Sequence, residues 1–259
     1  MQRTSTPSTP SLAYQTHGDP SNPAIMLLHG FMSSNAQWLL NTQALADGYF
    51  LVTVELWGHG DCATPDDPAV YTIDAYIRQF EQIRQQLGMD HWHVIGQSYG
   101  AGLVINYAIT RPQQIGKVVA TNSRSAFAAL SSDHARGRDG ARPRQGQGDL
   151  RKLPYHPIHA RRFPAQVKQA LVDKADAMEP EAVALGGSLG AKLNCTQRLD
   201  ELHRPLLITN GKYEKSFQED LRSLQASYPK LNVVHLDGGH SVNIEAAEQF
   251  NRAVLEFLA

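Results

Sequence analysis

The stretch Val94-Ile95-Gly96-Gln97-Ser98-Tyr99-Gly100-Ala101-Gly102 brings an apolar run to a serine set between two glycines, then to a row of small residues. This G-x-S-x-G spacing predicts a strand that turns abruptly into a helix, with the serine at the turn. So tight a turn forces the serine into a sparsely populated backbone region, at about 1–3 kcal/mol that the surroundings must hold. Gly96 and Gly100 carry no Cβ where strand and helix come close. Ser98 Oγ then stands at the strand tip, and the helix N-terminus lies beneath any negative charge that develops there. Five residues also fit a glycine-rich turn with an incidental serine, so the rest of the chain has to decide.

Working outward, apolar runs and helical patterns alternate. Ala24-Ile25-Met26-Leu27-Leu28 is unbroken, as suits a strand buried on both faces, and it ends in His29-Gly30. Asn35 is placed to cap a helix carrying Trp38, Leu39 and Leu45 toward the core. Phe50-Leu51-Val52-Thr53-Val54 predicts the next strand, and Ile73, Tyr76, Ile77, Phe80, Ile83 and Leu87 recur at helical spacing. Arg111-Pro112 ends the helix after the serine, and Lys117-Val118-Val119-Ala120 is another strand. Pro205-Leu206-Leu207-Ile208-Thr209 and Val233-Val234-His235-Leu236 predict two more, with helices over residues 216–228 and along Ala246, Phe250, Val254 and Phe257. Leu12 to Thr16 reads as a short edge strand. Alternation of this kind implies right-handed crossovers and a parallel sheet covered on both faces.

The chain has 259 residues, a length common for one α/β domain. A net charge of −1 argues against nucleic acid or an anionic membrane as partner. Cys62 and Cys195 are too few for a disulfide framework or a metal quartet, and read as small apolar side chains in a reducing compartment. No apolar run is long enough to cross a membrane, and the Ser-, Thr- and Pro-rich residues 1–11 read as a flexible tail rather than a signal peptide. A soluble cytoplasmic protein is the expectation. The composition changes between Arg124 and Lys168, which hold ten Arg or Lys against three Asp. Residues 136–144 have no apolar period and predict a mobile loop; helical patterns follow from Phe163-Pro164 and from Pro180 to Leu185, before Gly186-Gly187. Residues from about 123 to 196 are expected to form a cap over the sheet's C-terminal edge, within a single domain.

A serine hydroxyl needs a base within reach. Of eleven histidines, His240 in Asp237-Gly238-Gly239-His240-Ser241 directly follows the last predicted strand, where α/β sheets gather their sites. His29, His59 and His93 sit at strand ends or turns and are expected to bond locally; His134, His156 and His159 fall in the cap. An acid must fix the imidazole tautomer. Glu214, in the loop after Thr209, gives the chain order Ser, acid, His, with Asp237 as the poorer alternative inside the His240 turn. Two backbone donors for an oxyanion are Tyr99 N–H, directly after the serine, and Phe31 N–H in the loop after His29-Gly30.

The ordered set His29-Gly30-Phe31, Gly58-His59-Gly60, Gly96-Gln97-Ser98-Tyr99-Gly100, Gly211-x-x-Glu214 and Gly239-His240 resembles the α/β-hydrolase superfamily along nearly the whole chain, from about Ala24 to Ala259. The resemblance implies a three-layer α/β fold: a mostly parallel eight-stranded sheet, helices on both faces, and a helical cap inserted after the sixth strand. It also implies Ser98 as nucleophile, His240 as base, and Phe31 and Tyr99 as oxyanion donors. Two positions depart from the pattern. Most relatives carry Asp where Glu214 stands, and many carry Ser where Cys62 follows Gly58-His59-Gly60.

These residues imply a serine hydrolase cleaving a carboxylic ester of a small or medium acid through an acyl-enzyme on Ser98. A carbon–carbon bond hydrolase, or a lyase of the menaquinone-pathway type, would use the same scaffold on an anionic substrate, with Arg124 and Arg162 as carboxylate contacts. Trp38 is a further candidate for substrate contact. A third reading is a non-catalytic ligand receptor on a hydrolase scaffold. No metal cluster or phosphate-binding glycine loop is present in the sequence, so no cofactor is expected, and the partner is a small molecule. Oligomeric state is left open.

Overall fold

The computed structural model describes residues 9–128 and 149–259. Residues 136–144, His134 and most of the expected N-terminal tail lie outside them.

Strands β1 (Tyr14–His17), β2 (Ala24–Leu28), β3 (Phe50–Val54), β4 (Trp92–Gly96), β5 (Ile115–Thr121), β6 (Leu206–Gly211) and β7 (Asn232–Leu236) form one sheet in the order β1-β3-β2-β4-β5-β6-β7. The sheet thus has seven strands among the described residues, not the eight expected, and the long insertion follows the fifth rather than the sixth. β1 pairs antiparallel with β3 at the edge; every other neighbour is parallel. β2 and β3 are buried at every position, as their unbroken apolar runs require.

Alternate residues of each strand feed two cores. Met26, Leu28, Val52, Val94 and Val118 face the side that holds Phe80, Tyr107 and Trp92. Ile25, Leu27, Leu51, Ile95 and Val119 face Trp38, Phe250 and Val254. On the first side α2 (Ile73–Gln86), capped by Thr72 Oγ1 accepting Ala75 N–H at 3.1 Å, packs beside α3 (Tyr99–Thr110). On the second, α9 (Ala247–Leu258) covers β6 and β7. Among the described residues no helix is long and apolar enough to cross a membrane.

Three local expectations are corrected. Ser34, not Asn35, caps the short 3₁₀ turn Asn35–Trp38, its hydroxyl accepting Ala36 N–H at 3.3 Å; Asn35 instead donates its own N–H to Glu55. Leu39 points outward, because that turn buries Gln37 and Trp38 instead. The helix expected to end before Gly186-Gly187 runs from Pro180 to Gly190, since Gly186 meets the Phe31 ring where a Cβ would come within 2.8 Å of Cε2. Tertiary contact here overrides the low helix propensity of glycine.

The strand order reverses between β2 and β4, so the loops leaving these two neighbours diverge and open a crevice at their carboxyl ends. Gly100 is what lets the α3 N-terminus descend into that crevice. A Cβ there would press on the Leu28 carbonyl and come within 2.6 Å of His29 O. Gly→Ala inside a helix ordinarily stabilises by up to about 1 kcal/mol. For Gly100→Ala we expect the opposite sign, a loss of about 1–3 kcal/mol through overpacking against backbone, read as a lower urea midpoint at unchanged slope.

Candidate active site

Ser98 sits between β4 and α3 with φ 51° and ψ −107°, a left-handed backbone that side chains rarely adopt. Its surroundings pin it from three directions. Thr121 Oγ1 accepts Ser98 N–H at 3.2 Å, Ser123 Oγ donates to Ser98 O at 2.6 Å, and Gln97 N–H reaches Leu28 O at 3.0 Å. Ser98 Oγ lies 2.9 Å from His240 Nε2, and His240 Nδ1 lies 2.9 Å from Glu214 Oε1. The loops after β4, β6 and β7 therefore bring three distant residues into one hydrogen-bonded line.

Glu214 arrives through two close backbone approaches. Gly211 meets the Gly238 and Gly239 carbonyls with no room for a side chain, and Tyr213 N–H donates to Gly238 O at 2.9 Å. Its second oxygen, Oε2, accepts from Asn122 Nδ2 at 2.6 Å, while Asn122 Oδ1 accepts Gly211 N–H at 2.8 Å. Burial pushes the Glu214 carboxyl up, but the hydrogen bond and charge of His240, the Asn122 amide and the Arg124 charge outweigh it and hold it below its ordinary 4.5. Asp237, the alternative acid, turns away to Lys212 at 2.8 Å and Gln249 at 3.0 Å.

His240 leaves about half of its side chain open toward the site mouth (48%). Burial of the rest lowers its pKa; the Glu214 hydrogen bond and charge, with the Glu245 charge, outweigh that and raise it above 6.5. The loop is fixed on both sides of the ring: Gln97 Nε2 donates to His240 O at 3.3 Å, and Gly239 N–H donates to Glu245 Oε2 at 3.0 Å.

Opposite the base, the β2 loop turns through Met32 at φ 53°. Among the described residues the Phe31 and Tyr99 N–H groups have no acceptor. The Phe31 ring stacks on Tyr99 with centroids 5.6 Å apart and meets Tyr155 at 5.4 Å. His29 braces this loop from below: its Nδ1 donates to Gly30 O at 2.7 Å and its Nε2 accepts Leu56 N–H at 3.2 Å. Burial drives His29 down to about 3 and His59 down to about 4, so both stay neutral scaffolding. His93 also bonds locally, accepting Lys117 N–H at 3.0 Å.

Other sequence candidates fare differently. Arg124 pairs with Asp220 at 3.0 Å, and Arg162 pairs with Glu245 at 3.3 Å while lying 4.9 Å over the Tyr213 ring. Trp38 is fully buried on the far face of the sheet against Phe250, at 6.5 Å, so it is a core residue and not a substrate contact. Burial raises Cys62 to about 11 and Cys195 to about 12, which keeps both thiols protonated. Among the described residues no group of His, Cys, Asp and Glu could hold a metal. The sequence reading passes over Thr121-Asn122-Ser123, the polar triplet that begins at the last residue of β5 and braces Ser98 and Glu214 together. Its signal was visible: three polar residues close a buried apolar strand.

The family model of the alpha/beta hydrolase fold matches residues 23–247, and the chain belongs to that family. It is 22% identical over 260 residues to a proline iminopeptidase of Heyndrickxia coagulans, covering 90% of each chain. It is 24% identical over 252 residues to a carboxylesterase of Bacillus subtilis (strain 168), covering 93% of this chain and 82% of that one. A hydrolase from Pseudomonas aeruginosa PA01 superposes with a TM-score of 0.80 at 22% identity, covering 96% of this chain and 94% of that chain.

The raised His240 pKa carries a sign. Because the folded value exceeds the unfolded one, protonated His240 stabilises the fold below about pH 6.5, and that contribution is lost as the pH rises through the folded value. Glu214→Gln removes the charge that raises it. We expect the His240 imidazole of Glu214→Gln to titrate at lower pH than that of the wild type, followed by NMR.

Proposed function

We propose that this member of the alpha/beta hydrolase fold family is a serine hydrolase that cleaves a carboxylic ester of a small or medium acid. The observation that carries the reading is the line of two 2.9 Å contacts from Ser98 Oγ through the His240 ring to Glu214, with Phe31 and Tyr99 N–H groups that have no acceptor among the described residues. In this reading Ser98 is the nucleophile, His240 the general base, Glu214 the acid that orients it, and Phe31 and Tyr99 supply the oxyanion donors. Neutral His240 accepts the hydroxyl proton through Nε2 as Ser98 Oγ forms a bond to the ester carbonyl carbon. The carbonyl oxygen takes the negative charge and is met by the Phe31 and Tyr99 N–H groups, each such donor contributing about 3–4 kcal/mol to the transition state.

As the tetrahedral adduct collapses, the carbon–oxygen bond to the alcohol breaks and His240 returns the proton to the departing oxygen. Water activated by His240 then attacks the acyl-enzyme, and the acid leaves as Ser98 regains its proton. Glu214 holds the Nδ1 proton throughout, so Nε2 is the free acceptor at the start of each half-reaction. Glutamate serves where relatives use aspartate because the Gly211 approach and the Asn122 amide set its longer side chain.

The carboxylesterase relative favours ester chemistry, and the proline iminopeptidase relative is consistent with acyl transfer on the same scaffold. An anionic-substrate lyase would draw on Arg124 and Arg162, yet each already faces a carboxylate of this chain. A ligand receptor would not require a base bonded to the serine. The insertion between β5 and β6 acts as the cap that shapes access, and the whole chain works as one domain in the cytoplasm.

Two measurements test these assignments. A fluorophosphonate is expected to label wild-type protein at Ser98, and Ser98→Ala is expected to lower ester turnover by at least about 10⁴-fold. Absence of labelling would favour the receptor. Arg124→Ala and Arg162→Ala are expected to change turnover of acidic and neutral esters alike; a loss confined to acidic substrates would restore the anion-binding reading.

A further inference from the structure

The two elements that flank Ser98 belong to strands far apart in the sheet. Phe31 follows β2 and His240 follows β7, and β4, β5 and β6 stand between those strands. No ladder bond joins β2 to β7; one link between their loops is Gln97, whose N–H reaches Leu28 O at 3.0 Å and whose Nε2 donates to His240 O at 3.3 Å.

A buried amide network spans that gap. Asn243, three residues beyond His240, lies in α8 (Val242–Glu245) with none of its surface exposed. Asn243 Nδ2 donates to Gln37 O at 2.7 Å and to Asn41 Oδ1 at 3.1 Å. Its Oδ1 accepts Gln37 Nε2 at 2.9 Å, and its backbone carbonyl accepts Asn41 Nδ2 at 2.9 Å. Gln37 Oε1 in turn accepts the Ser33 hydroxyl at 2.8 Å. Ser33 is two residues beyond Phe31, across Met32 with its left-handed backbone. The path runs Phe31, Met32, Ser33, Gln37, Asn243, His240 through direct side-chain hydrogen bonds and short stretches of backbone. Asn251 closes the outer side, accepting Asn41 Nδ2 at 2.7 Å and donating to Leu40 O at 3.1 Å.

Buried amides with every group paired hold a single geometry, because any displacement leaves a desolvated donor or acceptor without its partner. We propose that Asn243 is a positioning residue, which through Gln37 and Ser33 fixes the separation between the Phe31 N–H and the His240 ring on opposite sides of Ser98. The role rests on the serine-hydrolase reading of the same site. A structural amide elsewhere in the core would stabilise the fold alone; this one joins the donor of the oxyanion hole to the base. Asn251 belongs to the same cluster but lies outside the path between the two loops, which makes it the internal control.

The test compares wild type, Gln37→Ala, Asn243→Ala and Asn251→Ala in ester turnover, rate of fluorophosphonate labelling at Ser98, and melting temperature. Gln37→Ala and Asn243→Ala are expected to lower kcat by about 100-fold with KM held within about threefold, since a misplacement near 1 Å costs about that much in rate. Labelling is expected to slow in parallel. Asn251→Ala is expected to lower the melting temperature comparably and to keep kcat within about threefold of wild type. Gln37→Ala tests the path from the oxyanion side even where Asn243→Ala fails to fold. The positioning role is overturned if Gln37→Ala keeps wild-type kcat, or if kcat falls in step with melting temperature across all three variants. A wild-type protein that fluorophosphonate does not label would overturn the hydrolase reading itself, an outcome distinct from equal labelling of wild type and Gln37→Ala.

Discussion

Ser98 is held at φ 51° at the tip of a central parallel strand, and the site is arranged around keeping it there. The strain is local, but what holds it comes from the neighbours: the Leu28 carbonyl of β2 on one side, Thr121 at the end of β5 and Ser123 just after it on the other, and the close approach that Gly100 permits. Among the described residues only one other non-glycine residue, Met32, has positive φ, and it lies in the loop that faces the serine. Both positions thus lie just beyond the carboxyl ends of two neighbouring strands, β4 and β2. Strain of this kind persists where rigid surroundings over-determine it, and here those surroundings are strands buried on both faces.

The electrostatics of the site follow from the same placement. Thr121 closes β5 and Asn122 and Ser123 follow it; the two hydroxyls hold the Ser98 backbone and the amide holds Glu214, so one strand end and its loop serve two partners. Glu214 stays ionised because His240, Asn122 and Arg124 offset its burial, and the ionised carboxylate in turn raises the His240 pKa. Glu245, five residues beyond His240, adds negative charge and fixes the Gly239 N–H. The ring therefore has its tautomer set from one side and its backbone set from the other.

Over this floor lies α6 (Pro180–Gly190), whose glycines face the aromatic side chains beside the serine. Gly186 meets Phe31 and Gly190 meets Tyr99, so a helix otherwise weakened by glycine can settle close to the residues that donate the two N–H groups. The basic character of the insertion is partly neutralised: Arg162 by Glu245, Arg151 by Asp176, and Arg124, which starts the short helix after β5, by Asp220.

Local chemistry explains what was readable from the chain alone. Unbroken apolar runs, the serine between glycines, and a histidine after the last strand each depend on neighbours in sequence, so the parallel sheet, Ser98, His240 and the position of Glu214 could be inferred. The strand count, the glycine-bearing helix, Trp38 and the role of Asn122 could not, because each is decided by residues distant in the chain. Trp38 is expected both to face the core and to touch substrate; burial against Phe250 bears out the first and removes the second. Asn243 is one polar residue in a short turn until Gln37 and Asn41, some two hundred positions earlier, use all its hydrogen bonds. Sequence periodicity reports which face of an element is apolar; which distant polar group meets which is set only when the chain closes, because a buried amide has to find its partner wherever folding leaves one.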